Sequence, residues 1–117
     1  MAESIDIYGN GKQLEKAIST LKTSTLPEDR KDILAFVDMM QAQGIKPIRL
    51  KKYVYVLRQL AGMKKSAFRK ASKNDIVKLV GKVESNKNYA QRTKTDFKIV
   101  LKRFYKWLKG NDEAYPI

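Results

Sequence analysis

The stretch QRTKTDFKIVLKRFYKWLK, residues Gln91–Lys109, decides the fold. Phe97, Val100, Leu101, Phe104 and Leu108 recur at helical spacing and make one apolar stripe. Lys94, Lys98, Lys102 and Lys109 fall on a neighbouring face, with Lys106 beside them. One side of this helix needs a protein core, and the other suits something anionic. The rest of the chain has to supply both.

Working outward, each upstream segment offers a matching apolar stripe. In the segment opened by Ser72, Ile76, Leu79, Val80 and Val83 point inward, with Ser72 as cap and Asp75 near the positive helix end. Residues 48–63 bury Leu50, Tyr53, Val56, Leu57 and Leu60 and leave Lys51, Tyr55 and Arg58 on the opposite side. Before them, Gly44 suits a left-handed helix stop, and Lys46 ahead of Pro47 is pushed out of helical geometry. A helix over residues 27–43 buries Ile33, Phe36, Val37 and Met40. Thr25-Leu-Pro-Glu28 reads as its capping box, with Pro27 in the first turn. A short first helix over residues 12–22 carries Leu14, Ala17, Ile18 and Leu21, and Asn10 is placed to cap it.

Residues 62–70 (GMKKSAFRK) form a basic connector in which Phe68 plugs the core, and Trp107 packs at the end of the last helix. Glu28, Asp29 and Asp75 read as first-turn capping carboxylates. With short connections and no strand alternation, the expectation is an all-α fold, a compact bundle of four to five short helices. A single domain spans residues 1–117, with its core at about 12–110.

Composition narrows the function. The chain has 117 residues, of which 25 are Lys or Arg and 12 Asp or Glu, for a formal charge of +13 and a pI near 10.0. Such self-repulsion opposes compaction and points to a polyanionic partner. There is no histidine and no cysteine, which removes the common general acid–base group, the thiol nucleophile and thiolate metal sites. No catalytic, metal-binding or cofactor-binding constellation is visible, so a self-contained enzyme is disfavoured. No apolar run approaches the roughly 20 residues that span a bilayer. A cytoplasmic, nucleoid-associated protein is the expectation.

The positives converge on two helices. Arg49, Lys51, Lys52 and Arg58, with the Tyr55 hydroxyl, belong to the segment 48–63. Arg92, Lys94, Lys98 and Lys102 belong to the last helix, whose start adds Gln91 and Thr93. Lys64, Lys65, Arg69 and Lys70 lie in the connector. At a helix start, backbone N–H groups, hydroxyls and cations all favour phosphate oxygens, and Gln or Arg there can reach base edges. Lys106 and Lys109, at the far end, read as solvated charges.

Three passages carry a family resemblance. Residues 44–61 (GIKPIRLKKYVYVLRQLA), 72–80 (SKNDIVKLV) and 89–110 (YAQRTKTDFKIVLKRFYKWLKG) are similar, in order and spacing, to the SAM-like core-binding domain of tyrosine recombinases. The chain resembles phage-type and Xer-type enzymes over residues 26–110, and archaeal integrases most of all. The resemblance implies a domain that clamps double-stranded DNA with two crossing helices, here residues 48–63 and 92–109, while a C-terminal catalytic domain forms the other jaw. Carried over by position, Lys51, Lys52, Tyr55 and Arg58 on the first helix and Gln91, Arg92, Thr93, Lys94 and Lys98 on the second are contact candidates.

The family's catalytic half needs an Arg, Lys, His and Arg set with a tyrosine nucleophile. This chain has no His, and residues 111–117 correspond to the start of the interdomain linker. None of its tyrosines is expected to act as nucleophile. The expectation is an excised domain or a natural fragment, monomeric in isolation and assembling on DNA. The alternative is a basic helical RNA-binding or adaptor module unrelated to recombination.

Overall fold

The computed structural model describes residues 10–110 and Tyr115. Five helices follow one another: α1 (Asn10–Ser24), α2 (Pro27–Ala42), α3 (Pro47–Gly62), α4 (Lys73–Glu84) and α5 (Gln91–Lys109), with a 3-10 turn at Phe68–Lys70 between α3 and α4. No strand occurs among the described residues. The all-α bundle read from the sequence is the observed fold. The segment before Asn10, the Asn10 side chain and all of 111–117 except Tyr115 lie outside the described residues.

The helix boundaries have local causes. Gly44 sits at φ +90 beyond α2, and the Ile45 N–H bonds the Met40 carbonyl (3.1 Å) while the Gly44 N–H bonds that of Gln41 (3.0 Å). This is a Schellman stop, and it satisfies two carbonyls that α2 would otherwise orphan. Lys46 is extended, at φ −76 and ψ 156, and Pro47 opens α3. Ser72 and Asp75 form a full capping box on α4, with the Asp75 N–H to the Ser72 hydroxyl at 3.1 Å and the Ser72 N–H to the Asp75 carboxylate at 2.9 Å. The Ser72 N–H, and after it the Ser72 hydroxyl, hold the Asp75 carboxyl below its ordinary value.

The capping box expected at Thr25–Glu28 does not form. Leu26 is the N-cap of α2, without a side-chain bond. Pro27 imposes a helical φ at the first position, so the cap falls at 26 and Thr25 is one residue too early. Its hydroxyl instead donates back to the Leu21 carbonyl at 2.6 Å.

α3 is the central element, packed against α1, α2 and α5. Phe36 of α2, Phe68 of the turn and Phe104 of α5 are fully buried, and Phe104 meets Phe36 edge-on at 5.3 Å and Phe68 at 5.1 Å. Trp107 closes this cluster at 5.6 Å from Phe36, as its placement at the helix end implied. The buried Tyr105 hydroxyl donates to the Phe68 carbonyl at 2.9 Å, and burial pushes its ionisation upward. Tyr115 also joins the core.

Glu28 and Asp29 are not caps either. Asp29 is fully buried, accepting from the Phe68 N–H at 2.8 Å and from the Lys64 ammonium at 2.5 Å. Asp32 takes both arms of Arg69, and Glu28 pairs with Lys70 at 3.2 Å. Three acids of α2 thus neutralise three cations of the connector. They latch the turn that carries Phe68 onto the bundle.

Candidate nucleic-acid interface

α3 (PIRLKKYVYVLRQLAG) contains no carboxylate. Its buried residues, Leu50, Tyr53, Val54, Val56, Leu57 and Leu60, occupy one side, so the 3.6-residue repeat turns Ile48, Lys51, Lys52, Tyr55 and Arg58 outward. Tyr55 is 47% exposed. The Arg58 guanidinium lies 5.8 Å from the centre of its ring, and Phe97 supports the ring edge-on at 6.4 Å.

Two grooves run along the edges of this face. The first, of about 470 Å³, lies between α1 and α3 and is walled by Lys16, Ala17, Lys51, Lys52, Tyr55 and Arg58. The Gln13 amide oxygen of α1 accepts from the Lys51 ammonium across it. The second, of about 260 Å³, lies between α3 and α5, where Arg49 and Lys52 face Asp96, Ile99 and Arg103. There Lys52 pairs with Asp96 at 2.8 Å, and Arg103 donates to the Tyr53 hydroxyl.

The structure divides the α5 candidates between two flanks. Arg92, Asp96, Ile99 and Arg103 recur at i, i+4, i+7 and i+11 and share the flank towards α3. Lys94 and Lys98 take the other flank and reach α4. The Lys94 ammonium donates to the Glu84 carbonyl at 2.6 Å, and Lys98 forms an ion pair with the Glu84 carboxylate. That bond holds the Glu84 carboxyl below its ordinary value. Further along the same flank, Lys109 donates to the Arg69 carbonyl, so it is a tether and not the solvated charge read from the sequence.

Lys51, Lys52, Tyr55 and Arg58 are therefore brought together on one face, while Arg49 lies at the opposite edge of α3, beside the flank of α5 that carries Arg103. Gln91 and Arg92 are exposed at the start of α5, and Thr93 is half-buried. Lys102 is exposed and forms no ion pair among the described residues. The connector contributes less than its composition implies, since Lys64, Arg69 and Lys70 are all paired with α2. Lys64 is largely buried over the Phe68 ring, 3.9 Å from its centre, and burial pulls its ionisation down against the opposing pull of Asp29.

No family model, curated protein or solved structure matches the chain.

Sequence reasoning missed Lys16 and Arg103. Arg103 was findable, since it lies eleven residues after Arg92 on the same helical stripe. Lys16 was not, because nothing local tells that α1 lies along α3. Among the described residues no three His, Cys, Asp or Glu side chains cluster as a metal site, and no helix is long and apolar enough to cross a membrane.

Proposed function

We propose that this chain binds duplex DNA through the face built on α3. We read it as the core-binding domain of an integrase-type tyrosine recombinase, with strand cleavage left to a catalytic domain. The observation that carries the DNA reading is a helix with no acid that turns Lys51, Lys52, Tyr55 and Arg58 outward together and sets Arg49 at its far edge, in a chain of net charge +13. The recombinase reading rests on the ordered similarity of residues 44–61, 72–80 and 89–110.

The geometry favours backbone contacts over base contacts for α3. With α1 on one edge and α5 on the other, α3 is a strip within a wider surface and not a protruding rod. Its cations therefore suit phosphates on either side of a groove, which position a protein without reading sequence. Base reading falls to the exposed start of α5, where Gln91 and Arg92 have the donors and acceptors for base edges. Lys94 and Lys98 stand one flank away, and their part is to hold that helix start against Glu84.

Charge reversal tests this. Lys51→Glu with Arg58→Glu should weaken duplex binding by at least about tenfold at low salt. Lys78→Glu, on the exposed side of α4, should change it by less than about twofold. Equal losses for the two variants would mean that total charge and not this face is responsible. Tighter binding of structured RNA than of the duplex would favour the RNA-binding alternative.

A further inference from the structure

The groove between α1 and α3 has a chemistry that duplex contacts do not require. Its walls are apolar, formed by the Ala17 methyl, the Tyr55 ring and the aliphatic stems of Lys16, Lys51, Lys52 and Arg58. Its rim carries the cationic heads of Lys16, Lys51 and Arg58 and no carboxylate, while the Lys52 ammonium turns away to Asp96. The Gln13 amide, whose oxygen accepts from Lys51, and the Thr20 hydroxyl, whose proton goes to the Ala17 carbonyl at 2.6 Å, also line it.

We propose that this groove takes one unstacked nucleobase of a single-stranded nucleic acid, with the flanking phosphates on its cationic rim. Proteins that hold single strands combine an aromatic platform with a cationic track, and here both occur in one place. Tyr55 offers the platform: its ring is half exposed and propped from beneath by Phe97. Arg58, already beside that ring, is a planar cation that stacks on π-faces. Ala17, on the α1 side, has the smallest side chain that α1 could place there, so little bulk stands opposite the Tyr55 ring.

Two other occupants fit less well. An amphipathic acidic helix anchors through a row of apolar side chains at helical spacing and needs a row of pockets to receive them. This groove has one aromatic and one alanine as its apolar lining residues. A free mononucleotide would leave most of the rim unused, because Lys51 and Arg58 are seven residues apart, about 10 Å along the helix axis. A strand, with a phosphate on each side of the base, uses both.

The test is fluorescence anisotropy with the intact chain and a labelled oligonucleotide of about 12 nucleotides, beside a duplex of the same length. The single strand should bind, and an otherwise identical abasic strand should bind at least about fivefold more weakly, since stacking is lost and charge is kept. Ala17→Met, which fills the groove, should weaken the single strand at least about fivefold and the duplex less than about twofold. Tyr55→Trp should retain single-strand binding where Tyr55→Leu loses it. Equal binding of the abasic strand overturns the proposal whatever the variants do. So does a mononucleotide that competes as well as the strand, or an acidic peptide that binds where the strand does not. Failure of the duplex arm alone refutes the duplex reading and leaves this one standing, and the converse also holds.

Discussion

Replacing Asp29 by alanine should damage this fold as much as truncating one of its core aromatics. The carboxylate is fully buried and accepts two bonds, from the Phe68 N–H at 2.8 Å and from the Lys64 ammonium at 2.5 Å. Removing it orphans a buried amide and leaves a cation whose side chain is only 10% exposed facing a void. Lys64 keeps the Ser66 carbonyl at 2.7 Å and the Phe68 ring, but neither supplies negative charge. Breaking one side of a buried ion pair destabilises by about 3–5 kcal/mol. For a domain of this size that lowers the melting temperature by at least about 12 °C. Glu28→Ala is the internal control: it removes a pair whose partners are 69% and 52% exposed, worth at most about 1 kcal/mol. Thermal and urea unfolding followed by circular dichroism would measure both. Asp29→Asn, which keeps an acceptor for the Phe68 amide, should fall between them. If Asp29→Ala loses no more than Glu28→Ala, the latch between α2 and the Phe68 turn is not a source of stability.

Four further substitutions have outcomes set by local geometry. Gly44→Ala places a side chain at φ +90 with nothing within 4 Å of the new carbon, so backbone strain alone should destabilise by about 1–2 kcal/mol. Gly81→Ala, within α4 and equally unobstructed, should instead stabilise by about 1 kcal/mol, and urea midpoints of the two should move in opposite directions. Tyr105→Phe removes one of two donors to the Phe68 carbonyl, the Ala71 N–H staying at 3.2 Å, and should lose about 0.5–1.5 kcal/mol in the same assay. Asp75 has a depressed folded pKa, so its contribution is present above about pH 4 and is lost as pH falls through the folded value. The gap in urea midpoint between the parent chain and Asp75→Asn should therefore close between pH 6 and pH 2.5. A gap that stays constant would show that the carboxylate's charge is not what the Ser72 box holds.

What was legible in the sequence is what depends on neighbours along the chain. Gly44, Pro47, Ser72 and Asp75 punctuate helices through their own backbone chemistry, and the apolar stripes of α3, α4 and α5 announce their buried sides. Thr25–Glu28 misled because the spacing of a capping box was right while Pro27 had already placed the cap at Leu26. Glu28 then found Lys70, 42 residues away, and no local pattern reports that. The two flanks of α5 were illegible for a similar reason. Periodicity tells that Lys94 and Lys98 lie off the core, but not that α4 brings Glu84 to that side and α3 brings Lys52 to the other. The candidate face was half legible: the residues of α3 were found, and their neighbours on α1 were not.

Phosphate contacts made by a small set of cations release counterions, so duplex binding should weaken steeply with salt. Arg49, Lys51, Lys52, Arg58 and Arg92 together would neutralise about five phosphates, for a slope of log K against log[salt] of about −4.5. Between 50 and 200 mM salt the affinity for a duplex should then fall by about 500-fold. An affinity that is flat across that range, or no measurable binding at 50 mM, would contradict the account.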